Sequence, residues 1–195
     1  MVFQHEHVDR YEQTAGADGH ELQPDLCTLI MTTVGRKTGR DRKVATIYRR
    51  VGDNYVVVAS RGGAPTHPNW YLNLLAHPEI TIQVGAVRIP VRARTAEGAE
   101  RKWLWPLMVE TFPTFDDDQA NSTRILPIVI LEPIHDPMVT ERTTSHEVES
   151  QGASGRGSGN ARSVHWPKTT TAGSACAIPK ATSSTSSPAD DPQTP

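Results

Sequence analysis

The sequence predicts a mainly β domain of the α+β class. It reads as a closed or split antiparallel barrel with two or three short helices and a disordered C-terminal tail. Two observations point there. Apolar runs rich in β-formers recur between residues 26 and 133, joined by turns of hairpin length, and no strand–helix–strand alternation appears. The apolar runs are confined to 22–134 within a chain of 195 residues, and 135–195 carries almost none. This divides the chain into a domain, 1–134, and a tail, 135–195.

The elements follow in order. Residues 1–21 are polar and contain His5, His7 and His20, whose spacing matches no familiar metal site; a solvated helix or arm is expected. LCTLIMTTV (26–34) is a buried strand. GRKTGRDRK (35–43) is a hairpin loop, with Gly35 and Gly39 supplying unusual backbone angles. VATIYRRV (44–51) and NYVVVAS (54–60) are strands joined by a tight turn. RGGAPTHP (61–68) is a loop. NWYLNLLAH (69–77) has helical periodicity, opened by Pro68 and stopped by Pro78.

EITIQV (79–84) and VRIPVRARTA (87–96) form a second hairpin, and Pro90 inside it calls for an edge or a bulge. AEGAERKWLWPLMVETF (96–112) is an amphipathic helix with Pro106 inside it, and LPIVILEP (126–133) is a last buried strand. Beyond Pro133 the chain is Ser, Thr, Gly and Pro without periodicity. Such a segment buries too little apolar surface to offset its ordering entropy.

Charge and composition exclude several function classes. A formal net charge of -2 and a pI near 6.4 do not suit a nucleic-acid binder. No CxxC occurs, so a zinc site is not suggested. No apolar stretch is long enough for a membrane span, and the polar N-terminus lacks a signal-peptide core. A cytoplasmic setting is expected, with peripheral membrane contact left open. Asp116, Asp117 and Asp118 read as a cap or a solvated face.

Against that near-neutral balance, five of the nine residues in GRKTGRDRK are basic. Cations on adjacent strand ends and a tight loop converge on phosphate or carboxylate groups, and glycines let backbone N–H groups approach as well. A charged hairpin loop by itself is more often a solvated turn. A second loop, SRGGAPTHPNWYLNL (60–74), again places glycines and a basic residue at a strand end, next to a helix start carrying Trp70 and Tyr71. Two such loops together suggest one extended anionic ligand with a flat head. No nucleophile–base arrangement accompanies them.

LIMTTVGRKTGRDR, VVVASRGGAPTHPNWYLNLLAHPEITIQVG and LPIVILEP together strongly resemble the deazaflavin-dependent nitroreductase and quinone reductase family, actinobacterial enzymes that use reduced coenzyme F420. The resemblance runs from about His7 to Pro133. It implies a small split β-barrel like that of flavin-mononucleotide-binding reductases. It also implies a cofactor with a flat deazaflavin, a phosphodiester and a polyglutamate tail. On that likeness Arg36, Lys37 and Thr38 are first cofactor contacts, and Arg42 with Lys43, Val44, Ala45, Thr46 and Ile47 a second group. Ala59, Ser60 and Arg61 match the phosphate segment, and Asn69, Trp70, Tyr71 and Asn73 the segment beside the deazaflavin.

One departure stands out. Phe112, Phe115 and Asp118 fall where nitroreducing members carry tyrosines. Phenylalanine can wall an acceptor pocket but cannot donate a hydrogen bond. The resemblance therefore implies hydride transfer to a quinone-like or nitro acceptor, with quinone the safer of the two. No catalytic residue and no metal ligand is assigned. The alternatives are a non-catalytic F420 carrier and a flavin- or haem-binding split-barrel protein. Oligomeric state is left open.

Overall fold

The computed structural model describes residues 5–134, so the expected disorder of 135–195 lies outside the described residues. The strands are β1 (Glu21–Gln23), β2 (Leu26–Val34), β3 (Asp41–Val51), β4 (Asn54–Val58), β5 (Glu79–Val84), β6 (Val87–Thr95) and β7 (Ile128–Pro133). The helices are α1 (His5–Gln13), α2 (Asn69–Ala76), α3 (Gly98–Thr111) and α4 (Thr114–Ala120).

The sheet runs β1-β2-β3-β4-β7-β6-β5, and a further β2–β5 pairing closes six of its strands into an antiparallel barrel. β2 makes the closure because it is long. It pairs with β3 from Cys27↔Tyr48 to Val34↔Asp41. Its middle, Ile30 to Thr32, also pairs with Gln83 to Thr81 of β5. Full closure leaves no open edge among these six strands.

Period-two alternation fills the interior. Cys27, Leu29 and Met31 point in from β2, Tyr55 and Val57 from β4, Ile80, Ile82 and Val84 from β5, and Val129 and Leu131 from β7. Each such Leu or Ile contributes roughly 1.5–3 kcal/mol by leaving water. The opposite faces need cover, and helices supply it. Val56, Val58, Ile128 and Ile130 pack with Leu104 and Met108 of α3 and with Phe115 of α4. Ile30 and Ala45 pack with Val8 and Tyr11 of α1.

Two expectations are corrected here, and two elements were unforeseen. The loop expected at 35–43 ends at Arg40, and β3 starts at Asp41, so Arg42 and Lys43 are strand residues. Their polarity hid the strand, but the partner Thr32–Thr33 extends the ladder past the apolar run. The stretch between the expected helix and the last strand, to which no element was assigned, holds α4, with Asp116 and Asp117 in its first turn, where carboxylates suit the positive helix end. Residues 1–21, expected to hold a solvated helix or arm, do hold a helix, but it is docked: Val8 and Tyr11 of α1 are buried. The short strand β1, unforeseen, pairs along the start of β2. Pro90 lies at the end of the β6–β7 ladder, one residue beyond the registered pair Val91↔Pro133; its carbonyl still accepts from the Ile134 N–H at 2.9 Å, and its missing N–H falls at that end.

Candidate functional site

Two loops leave the same end of the barrel and enclose a groove. The first, 35–40, is a compact turn: Gly35 N–H donates to the Arg40 carbonyl, and Thr38 and Gly39 N–H groups donate to the Gly35 carbonyl. The unusual backbone angle expected at both glycines is found at Gly39, with φ +65°, and not at Gly35, where a Cβ would instead crowd Thr38 Oγ1 and the Arg40 carbonyl. The second, 59–68, runs from the end of β4 into α2.

The groove has a volume of about 570 Å³ and is lined by Arg36, Lys37, Thr38, Arg42, Lys43 and Val44 on one side. Arg61, Pro68, Asn69, Trp70 and Asn73 line the other. A smaller pocket of about 30 Å³ shares Val44, Arg61, Pro68 and Trp70 with it and adds Ala45, Thr46, Ile47, Ser60, Phe112 and Phe115. The two form one continuous site, cationic at one end and apolar-aromatic at the other.

Arg36 is held in place. Its backbone N–H donates to Asn73 Oδ1 at 3.1 Å, and its guanidinium donates to Asn73 Oδ1 at 3.2 Å and Asn69 Oδ1 at 3.5 Å. Asn73, 4 % exposed, donates in turn to Thr33 Oγ1. Both partners of Arg36 are neutral amides, so its charge is aimed but not neutralised. Among the described residues none of Arg36, Lys37, Arg42 or Arg61 forms a salt bridge. Lys43 differs: its Nζ lies 2.7 Å from the carboxylate of Glu12 on α1. Its charge is already matched, so it adds less to an anion site than its position implies.

Sixteen positions came from the sequence as cofactor contacts. Arg36, Lys37, Thr38, Arg42, Lys43, Val44, Asn69, Trp70 and Asn73 line the groove, and Ala45, Thr46, Ile47, Ser60 and Arg61 line the pocket. Ala59 and Tyr71 do not. Ala59 is fully buried in the core, and Tyr71 packs inward with its hydroxyl 3.1 Å from Thr95 Oγ1. Helix periodicity explains Tyr71, since its neighbours Asn69 and Trp70 take the outward face.

Of the three positions on the acceptor side, Phe112 and Phe115 line the pocket with rings 5.1 Å apart in edge-to-face contact, whereas Asp118 is not part of the lining. Asp118 meets the second loop by its backbone. A Cβ on Gly63, which has φ +71°, would lie 2.8 Å from the Asp118 carbonyl oxygen. Gly63→Ala is therefore expected to destabilise the protein by roughly 1–3 kcal/mol through strain and overpacking. Urea unfolding would measure it, and an unchanged midpoint would mean that α4 and the loop are not in contact in solution.

Arg124 was missed. It lies in the polar stretch between α4 and β7, where no local pattern marks it. Its guanidinium donates from Nε to the Ala64 carbonyl at 2.9 Å and from Nη2 to the Ser60 carbonyl at 2.6 Å. Nη1 and Nη2 both reach the Ala59 carbonyl at 3.2 Å. Nη1 also lies 3.1 Å from His67 Nδ1. Burial and the Arg124 charge hold the His67 pKa below its usual value. Neutral His67 thus accepts at Nδ1.

The family model for the F420H(2)-dependent quinone reductase matches residues 3–133. This chain belongs to that family. A Mycobacterium tuberculosis protein named F420H(2)-dependent quinone reductase Rv1261c is 35% identical over 124 residues, which is 62% of this chain and 83% of the relative. A solved structure described as an F420-H2 dependent reductase, FDR-A, is 38% identical with TM-score 0.51, covering 54% of this chain and 93% of that one. Another, described as a domain-swapped dimer, is 36% identical with TM-score 0.52, covering 65% and 95%. The reductase is an oxidoreductase, and reduced coenzyme F420 is its cofactor. The carrier and the flavin- or haem-binding alternatives find no support in these relatives. Among the described residues, the reductase has no helix long and apolar enough to cross a membrane.

Proposed function

We propose that the groove binds coenzyme F420 and that a quinone-like acceptor enters the same continuous site beside its Phe112–Phe115 wall. The observation that carries this reading is the set of cations without carboxylate partners at one end of a groove whose other end is walled by Trp70, Pro68 and phenylalanine. The donor set fits the cofactor. Arg36, Lys37 and Arg42 suit a polyglutamate tail, Arg61 beside Ser60 suits the phosphodiester, and Trp70 with Val44 suits a flat ring.

When bound, F420 supplies the hydride; the chemistry is the cofactor's. The chain's share is to bind, orient and exclude water. Arg36, steered by Asn69 and Asn73, sets the register of the anionic part. Val44 and Trp70 fix the plane of the ring. Phe112 and Phe115 present an apolar wall that stacks a planar acceptor against it and keeps water away. Neither phenylalanine donates a proton, so a quinone, whose reduced oxygen can take its proton from solvent once the product leaves the apolar wall, is favoured over a nitro group. A nitro acceptor stays the second reading, carried by the resemblance to nitroreducing members. A cytoplasmic site of action, with peripheral membrane contact to reach lipid quinones, belongs to the same proposal.

The test is a fluorescence titration of the purified protein with oxidised F420, with flavin mononucleotide in parallel, followed by turnover of menadione with reduced F420. Micromolar or tighter F420 binding, no flavin binding and menadione turnover are expected. Failure to bind F420 would sink the proposal, and binding without turnover would restore the carrier reading.

A further inference from the structure

We propose that Arg124, outside the groove, is a positioning residue that couples the cofactor loop to the acceptor wall. The proposal rests on the cofactor reading above.

A guanidinium has five N–H donors. Those of Arg124 make five contacts, all to one short segment: Ala59, Ser60, Ala64 and His67. That segment carries Arg61, a non-glycine residue at φ +54°. Such a conformation is sparsely populated and persists only where its surroundings over-determine it. The clamp on the carbonyls of Ala59 and Ser60, directly before Arg61, is that constraint. Arg61 then reaches Thr66 Oγ1 at 2.6 Å, which turns its guanidinium along the loop toward the groove.

Arg124 is itself tied to α4. Its carbonyl accepts from Gln119 Nε2 at 2.9 Å, and the Leu126 N–H donates to Gln119 Oε1 at 2.9 Å. α4 carries Phe115 of the acceptor wall. One residue therefore joins the helix that shapes the acceptor pocket, through its backbone carbonyl, to the loop that presents the phosphate-facing cation, through its guanidinium. The coupling depends on the planar fork and not on charge alone, because the acceptors are carbonyls at fixed angles. Lysine cannot reproduce it.

Burial disfavours the charged form of Arg124, and the nearby Arg61 charge adds to that effect. An anion seated on Arg61 relieves this repulsion. Occupancy of the groove should therefore tighten the loop as a whole.

The experiment compares wild type, Arg124→Lys and Arg124→Gln, with Arg36→Ala as reference. It reads the affinity for oxidised F420, KM and kcat with menadione, and hydrogen exchange of residues 60–67 in the cofactor-free protein. Arg124→Lys is expected to weaken F420 binding about tenfold and raise the menadione KM, by loosening of positioned groups. Exchange should rise at 60–67 while the barrel strands keep their protection. If Arg124→Lys and Arg124→Gln leave F420 affinity and the exchange of 60–67 unchanged while Arg36→Ala weakens binding, the positioning role is overturned and the cofactor reading survives. If affinity falls only in step with exchange throughout the barrel, Arg124 is a general structural residue and the proposal also fails. If Arg36→Ala changes nothing either, the cofactor reading falls and takes this one with it.

Discussion

Replacing Arg36 and Arg61 together by alanine is expected to weaken binding of oxidised F420 by about a hundredfold. Each removed charge-assisted hydrogen bond is worth about 1.5–3 kcal/mol, and about 1.4 kcal/mol is a factor of ten. Both arginines are exposed, which puts each at the lower end of that range, near tenfold. The effects should add unless the two meet the same anionic group. The dependence of affinity on salt should weaken in parallel, since fewer cations remain to be screened. Thermal stability should hardly move, because neither side chain is part of the core. Fluorescence titration at two ionic strengths measures both quantities. Unchanged affinity in the double variant would remove the cationic groove as the cofactor site. Lys43→Ala should weaken binding less than Arg36→Ala, because Glu12 already matches the lysine's charge.

The second large effect concerns Tyr11. Its hydroxyl accepts from the Gly85 N–H at 2.8 Å, lies 2.8 Å from His20 Nδ1 and 3.2 Å from the Thr28 carbonyl, and is wholly buried. It joins α1, the segment before β1, β2 and the β5–β6 turn. Burial pushes its pKa up to about 12, opposed in part by the Gly85 N–H. The folded state thus holds the phenolic proton more tightly than the unfolded chain does. The stabilisation is fully present below pH 10 and is lost as pH rises from 10 toward 12. Two pH units correspond to about 3 kcal/mol. Burial raises Tyr48 and Tyr55 as well, which steepens the same alkaline loss.

Tyr11→Phe should cost about 1–3 kcal/mol near neutral pH by leaving the Gly85 N–H without its acceptor. It should also flatten the decline above pH 10. Urea midpoints for both proteins across that range decide the matter. An equally steep alkaline decline in the variant would show that Tyr11 does not titrate with unfolding.

Much of this molecule is legible in its sequence because its information is local. Continuous apolar runs in 26–34, 54–58 and 128–133, and alternation in 79–84, specify strands whose inner faces share one core. Pro68 and Pro78 bracket α2 by backbone chemistry alone. The cation cluster and the aromatic helix start are adjacent in sequence to the loops that present them, which points to an anion groove with a flat-ring end. The residue-by-residue lining, and Phe112 and Phe115 on the acceptor side, are what the resemblance to the deazaflavin-dependent reductases implies.

What the tertiary structure decided involves pairings with no local signature. The polar start of β3 became a strand because Thr32, Thr33 and Val34 offered it a ladder, which moved Arg42 and Lys43 from loop to sheet. The polar N-terminal arm became a docked helix because Tyr11 finds its partners at Thr28 and Gly85. Lys43 lost part of its role to Glu12, and Tyr71 turned inward to Thr95. Arg124, an isolated arginine in a polar stretch, emerged as the clamp on the second loop. Spacing and propensity act within a few residues of each other. A buried hydroxyl, a matched charge or a forked guanidinium is defined by atoms dozens of positions away, and only folding brings them within a hydrogen bond's reach.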